Sequence, residues 1–379
     1  MNRDKQKYQL LAFAQKTPTA FIVESPFQLL CALNAIADFQ IKEYKIVLVL
    51  ERNNIRNQQV LSMLKARDMD YDTYYMEEVA IEDIITQKIT QAATRYERVM
   101  LGEYLNNHIL AVGGLYAANH SVAVYMDDGA ATIRILRGHT FNQNKCVAIL
   151  KRFLRPNSAL KKVQLQVHKF WDMCGMHDYG FYYTIYSDIR SRSFITYPNK
   201  LDKLYIGTNL TENIDVILII GAVTEGITAV SNISIAEYEG ILWSKLYELK
   251  IEHSNQRIIY IPHGRDNNKH IKGFCEILQI EYTPIDMAVE IYVISRHFKV
   301  KEVYGFSSTA LYTLELLTHA KVTNWLIKNK FNTAWYSINE IAIYYRSHGI
   351  EIEEIPYPQP TIGTRLRYYT KLLLNKIIR

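Results

Sequence analysis

Apolar residues along this chain fall into short, solid runs separated by stretches of helical period. Thr19 to Glu24 (TAFIVE) is such a run, ended by Ser25-Pro26. Tyr44 to Leu50 (YKIVLVL) is a second. Arg98 to Leu101 before Gly102, and Val122 to Met126 (VAVYM) before Asp127-Asp128-Gly129, repeat the pattern. Solid runs of this length, rich in β-branched residues, predict strands covered on both faces, as in a parallel sheet. Between the first two lies Phe27 to Ile36, an apolar helical stretch. Pro26 takes its first turn, where a missing N–H costs nothing.

The alternation then restarts. Asp215 to Ile220 (DVILII) ends in Gly221, a helix is predicted over Ser234 to Lys250, and Arg257 to Ile261 (RIIYI) is a strand closed by Pro262. Val303 to Phe306 is followed by Ser307-Ser308 and a helical run from Thr309 to Leu317. Ile214 therefore opens a second α/β unit, with Asp172 to Leu210 expected as the connecting region. The pattern predicts an α/β chain of two Rossmann-like domains facing each other across a cleft, although other two-domain α/β arrangements fit it too. The boundaries expected are 1–210, 211–360, and a basic amphipathic helix over 361–379.

Composition narrows the class. At 379 residues the chain exceeds what one core usually organises. Hydrophobic residues make up 49% and charged residues 22%, which excludes a disordered or low-complexity protein. No run approaches the ~18 apolar residues of a membrane span. The first sixteen residues are polar, without the apolar core of a secretory signal, so a cytoplasmic chain is expected. Cys31, Cys146, Cys174 and Cys275 are far apart, which suits reduced thiols better than a disulfide framework or a zinc site.

The net charge of +6 is unevenly spread. Gly129 to Trp171 contains no acid but carries Arg134, Arg137, Lys145, Lys151, Arg152, Arg155, Lys161, Lys162 and Lys169. The stretch after Pro360 is also acid-free, with Arg365, Arg367, Lys371, Lys376 and Arg379. Such segments attract polyanions, whether nucleic acid, anionic lipid or acidic glycan, or simply form a solvated face. Leu366, Tyr369, Leu373 and Ile377 share one helical stripe of the tail. That makes it either a peripheral membrane anchor or a helix docked on the protein.

Chemistry in open α/β sheets sits beyond the carboxyl ends of strands. Those ends carry Glu24-Ser25, Gly102-Glu103, Asp127-Asp128-Gly129, Gly221 to Glu225, His263 to Arg265, and Ser307-Ser308. Adjacent carboxylates point to opposite sides, so one of Asp127 and Asp128 can serve as a base while the other braces an Asp-Asp-Gly turn. His263 and Arg265 can protonate and clamp a phosphate, though a strand-end histidine also serves structure. Ser307-Ser308 opens a helix, which makes either an anion site or an ordinary N-cap.

In this chain order, the three groups resemble the bacterial sialyltransferases, the lipooligosaccharide and capsular polysialyltransferases. Those enzymes share (D/E)-(D/E)-G, a His-Pro pair after a strand, and Ser-Ser. Glu24-Ser25-Pro26-Phe27-Gln28 is also similar to their (S/T)-P-hydrophobic-Q start. The resemblance covers about residues 19 to 320. This chain departs from it in reading Pro262-His263, which fits a branch acting on a related nine-carbon sugar.

The resemblance implies a metal-independent, inverting GT-B glycosyltransferase with a CMP-activated nonulosonic acid as donor substrate and no cofactor. Asp127 would be the general base, with Asp128 as second choice. His263 would protonate or hydrogen-bond the departing phosphate. Ser307, Ser308 and Arg265 would hold it, and Gly221, Thr224 and Glu225 would lie near the cytidine. Ser25, Gln28 and Glu103 would line the acceptor side. The acceptor expected is an anionic or lipid-linked surface glycan at the inner membrane surface. Two other readings stay open: a GT-B enzyme using another nucleotide sugar, and a nucleic-acid-binding protein, for which the chain carries no known motif.

Overall fold

The computed structural model describes residues 3–52, 54, 56–78, 80–90, 95–104, 106–137, 159–204, 214–296, 298–328 and 335–356. The expected domain boundary at 210/211, the tail 361–379 and the centre of the basic segment lie outside the described residues. The chain divides into two compact units, Met1–Tyr205 and Ile206–Arg379.

The first unit is built on seven strands: β1 (Thr19–Val23), β2 (Tyr44–Leu50), β3 (Tyr71–Tyr75), β4 (Tyr96–Leu101), β5 (Ala117–Met126), β6 (His177–Thr184) and β7 (Ile195–Pro198). Their order is β3-β2-β1-β4-β5-β6-β7, every pairing is parallel, and the sheet reverses direction of growth between β1 and β4. β1 is buried at all five positions, which is why it reads as a solid apolar run and not as an alternation. Helix Pro26–Asp38 follows it directly. Ser25 is its N-cap, accepting the Gln28 N–H at 3.2 Å, and Pro26 occupies the first turn.

The stretch expected as a connector, Asp172 to Leu210, is corrected by the structure: it supplies β6 and β7 to the first sheet. Arg98 is fully buried in this unit, and among the described residues it has no acidic partner. Its Nε donates to Thr19 Oγ1 and its Nη1 to the carbonyls of Ala12 and Ala14. Its guanidinium lies 4.7 Å from the centre of the Phe39 ring. Burial brings its pKa down to about 10.

The second unit has six strands: β8 (Asp215–Ile220), β9 (Arg257–Ile261), β10 (Glu281–Tyr282), β11 (Lys299–Gly305), β12 (Lys321–Lys328) and β13 (Glu351–Pro356). They lie parallel in the order β10-β9-β8-β11-β12-β13. Counted within the unit this is 3-2-1-4-5-6, the Rossmann order, and the first six strands of the other unit follow it as well. Helix Ile235–Glu252 carries a capping box between Ser234 and Glu237 and lays Tyr238, Leu242, Leu246 and Leu249 on Ile217, Ile219 and Tyr260. The fold class is thus α/β, with two Rossmann-like parallel-sheet units.

Many of the tyrosines belong to these cores. Tyr125, Tyr182, Tyr183, Tyr186, Tyr238, Tyr260, Tyr344 and Tyr345 are essentially inaccessible, so they cannot serve as stacking platforms for bases. Cys31, Cys174 and Cys275 are buried thiols. Among the described residues, no helix is long and apolar enough to cross a membrane.

Candidate active site

Three strand ends of the first unit, β1, β4 and β5, are consecutive in the sheet, and each contributes a carboxylate: Glu24, Glu103 and Asp128. Oxygen atoms of all three lie within 4.8 Å of one another, at the point where the sheet changes direction of growth. Gln28 is the strut of this cluster. Its Oε1 accepts the Glu24 N–H at 2.8 Å, and its Nε2 donates to Asp128 Oδ1 at 2.7 Å. Gly102 leaves room for it, since a Cβ there would stand 2.1 Å from Gln28 Oε1. Asn106 caps helix Asn107–Tyr116 with its oxygen and donates its amide to Glu24 Oε2 at 2.7 Å.

Three carboxylates this close cannot all ionise easily. Burial, with Asp128 and Glu24 beside it, pushes Glu103 up to about 8, so it retains its proton at neutral pH. The same three oxygens are spaced to approach a divalent cation, but a cation would have to displace that proton.

Asp127 is placed differently from what its motif led us to expect. It is fully buried and faces β6, accepting the Thr184 hydroxyl at 2.6 Å and the Ile185 N–H at 2.8 Å. Burial outweighs these bonds and raises its carboxyl to about 7. The base role expected of Asp127 does not fit a carboxylate sealed into the sheet end, and Asp128 is the member of the pair that faces the cluster. Ser25 is likewise buried and spent on capping, and Gln28 acts from beneath the cluster as its support.

In the second unit the ends of β9, β8 and β11 are neighbours. His263 follows β9, and its Nδ1 accepts the Arg265 N–H at 3.1 Å. That bond places the proton of the neutral ring on Nε2, which makes Nε2 a donor. Arg265 is exposed at the same loop. Gly221 closes β8; its N–H donates to Ile261 O at 2.8 Å, and a Cβ would meet Tyr260 OH at 2.8 Å and His263 N at 3.0 Å. Its amide is therefore used by the sheet, and its lack of a Cβ allows the close packing of two loops.

Thr224 is tied to the neighbouring loop. It is buried, its N–H donates to Asp266 Oδ1 at 3.1 Å, and its hydroxyl accepts from Asn268 Nδ2 at 3.5 Å. Glu225 is exposed in the first turn of helix Thr224–Ser231.

Beyond β11, Ser307 adopts φ +44°, a left-handed conformation uncommon for a residue with a Cβ. Its N–H donates to the buried Asn324 Oδ1 at 2.7 Å. Ser308 is the N-cap of helix Thr309–Thr318, its Oγ accepting the Ala310 N–H at 3.3 Å, while Tyr345 OH donates to its carbonyl at 3.0 Å. Its hydroxyl proton remains a donor toward an anion at that helix end.

The site set predicted from sequence omitted Glu24, Asn106, Asp266 and Asn324. Glu24 stood at a recognised strand end; knowing that β1 and β4 are neighbours would have brought it to Glu103.

No protein-family profile matches this chain, and no curated protein matches its sequence. Among solved structures it is similar to a 2,6-sialyltransferase of Photobacterium sp. JT-ISH-224, in complex with the donor product CMP and the acceptor substrate lactose. The two share 11% identity at a TM-score of 0.48, covering 88% of this chain and 78% of that one. It is also similar to a UDP-GlcNAc 2-epimerase of Neisseria meningitidis bound to UDP-GlcNAc, with 12% identity, a TM-score of 0.46, and 94% and 91% coverage. MurG of Acinetobacter baumannii is a third, with 7% identity, a TM-score of 0.41, and 95% and 92% coverage. These likenesses concern fold and assign neither a residue nor a substrate to this chain.

Proposed function

We propose that this chain is an inverting glycosyltransferase that moves sialic acid, or a related nonulosonic acid, from a CMP-activated donor to a hydroxyl of a surface-glycan acceptor. The observation that supports it is where its three sequence groups stand: Asp128 beyond β5, His263 beyond β9 and Ser307-Ser308 beyond β11, all at carboxyl strand ends. Asp128 is the proposed base. Gln28 holds one of its oxygens, and a carboxylate has capacity for a further donor, here the acceptor hydroxyl. His263, with its donor at Nε2, protonates or hydrogen-bonds the departing CMP phosphate. Ser307 and Ser308 hold that phosphate at a helix start, with Arg265 as an added clamp. Gly221, Thr224 and Glu225 are proposed to lie near the cytidine.

The mechanism needs no metal step, because charge on the leaving phosphate is met by an imidazole, hydroxyls and a guanidinium. The basic residues 361–379 are proposed to hold the enzyme on an anionic inner membrane surface, which co-sedimentation with anionic vesicles would test. Donor class is tested by thermal shift with CMP, UMP, UDP and GDP. CMP at 100 times its Kd should stabilise by about 2.7 kcal/mol. Stabilisation by UDP alone would transfer the chain to another class of nucleotide sugar, and loss of transfer on adding EDTA would overturn metal independence.

A further inference from the structure

His263 is fixed within its own loop and across to the next strand. Its carbonyl accepts the Asp266 N–H at 2.8 Å, closing the turn His263–Asp266, and its Nδ1 accepts the Arg265 N–H at 3.1 Å. That turn is then tied sideways, since Asp266 Oδ1 accepts the N–H of Thr224, the first residue of helix Thr224–Ser231 beyond β8. The N-cap position of that helix is Val223, whose side chain accepts no bond from the helix end. Asp266 therefore supplies from a neighbouring loop the acceptor that a serine or aspartate N-cap supplies locally. Its charge also lies at the favourable end of the helix dipole. The two loops are already at contact distance at Gly221, so a small displacement of Asp266 is passed to the His263 backbone.

We propose that Asp266 is a positioning residue for His263, anchoring the imidazole-bearing turn to the start of helix Thr224–Ser231. Its consequence for turnover rests on the reading of His263 as the group that meets the leaving phosphate. Misplacing a reacting group by about 1 Å costs about 100-fold in rate. Asp266→Ala should then lower kcat about 10- to 100-fold, with KM for the donor nearly unchanged. Asp266→Asn keeps an acceptor oxygen for the Thr224 N–H and should restore most of that loss.

The experiment follows CMP release from CMP-N-acetylneuraminate by the full chain, together with the imidazole nitrogen NMR shifts of His263. In a His263→Ala background, Asp266→Ala should add almost nothing, since both changes remove the same function. Thr224→Pro is the second variant. Proline fits the first helical position and Val223 already has an extended backbone at ψ 114°, so the variant removes the N–H donor to Asp266 together with the Thr224 hydroxyl that meets Asp266 and Asn268. It should shift the His263 resonances as Asp266→Ala does.

Unchanged His263 shifts in both variants would overturn positioning. Full additivity with His263→Ala would also overturn it, because Asp266 would then act independently. If His263→Ala itself retains full turnover while the shifts move as expected, positioning stands and the reading of His263 falls.

Discussion

At the switch point of the first sheet, between the ends of β1 and β4, stand Glu24 and Glu103, with Asp128 one strand further on. At the matching point of the second, between β8 and β11, stand Gly221 and Ser307-Ser308, with His263 one strand away on β9. Strand order is the same in both units, and so is the parallel register that brings these ends together. The chemistry is opposite. One edge concentrates carboxylates until Glu103 holds a proton; the other assembles hydroxyls, a helix start, an imidazole and a guanidinium. A shared backbone topology thus fixes where ligands approach, and the first one or two residues after each strand fix what charge they meet. In the proposed reaction the acidic edge takes the acceptor hydroxyl and the other edge takes phosphate.

The strongest way to break this comparison is to remove one reactive group from each edge. Asp128→Asn and His263→Ala should each lower kcat about 10²- to 10⁴-fold, the contribution of a positioned proton-transfer group. Asp128→Asn should leave the Kd for CMP unchanged, as measured by calorimetry. Full turnover in both variants would remove the division of labour between the two edges.

Next in size is the phosphate side. The double variant Ser307→Ala, Ser308→Ala should weaken CMP binding by about 1 to 3 kcal/mol. An unchanged Kd would move the phosphate elsewhere. Ser308→Ala alone should also lower stability by about 1 kcal/mol through loss of the N-cap, seen in denaturant unfolding.

Asp127 sharpens the contrast within one edge. Asp127→Asn replaces one acceptor oxygen by an amide group facing either the Thr184 hydroxyl or the Ile185 N–H. It should destabilise by about 1 to 3 kcal/mol while turnover per folded molecule is kept. A stable, inactive Asp127→Asn would return the base role to Asp127.

The smallest effect concerns pH. Glu103 titrates higher in the folded chain, near 8, than its ordinary 4.5, so the native state binds more protons between those values. Its stability contribution is full below pH 4.5 and is lost as pH rises through about 8. Asp127 adds a similar loss up to about 7. Unfolding followed from pH 5 to 9 should show stability falling, with a shallower fall in Glu103→Gln. An unaltered slope would mean that Glu103 is not the proton holder.

Strands β1, β2, β8 and β9 were legible in the sequence because burial on both faces makes them solid apolar runs. β6 was not. Its sequence, HDYGFYYT, mixes charge, glycine and tyrosine, and its apolar half becomes recognisable only once β5 lies beside it. That omission governed the choice between Asp127 and Asp128. Period-two alternation shows that the two carboxylates face opposite ways, but the side that is sealed is set by Thr184 and Ile185 at the end of β6. Glu24, Asp266 and Asn324 escaped for a related reason. Each meets its partner across a strand pairing, and strand order is not written in local composition. The strand-end rule did place Glu103, Asp128, His263 and Ser307 beyond carboxyl strand ends.

Arg98 gives the first unit a property of a different kind. Helix Arg3–Ala12 stands ahead of β1 in the first unit. Its final carbonyl and that of Ala14 are two of the acceptors of a guanidinium that, among the described residues, has no carboxylate partner. Opening the helix would strand a cation inside the sheet's flank, a loss of several kcal/mol. The end of the helix and the sheet are thereby coupled: its last turn belongs to the same cooperative unit, and amides there should exchange more slowly than those of its first turn.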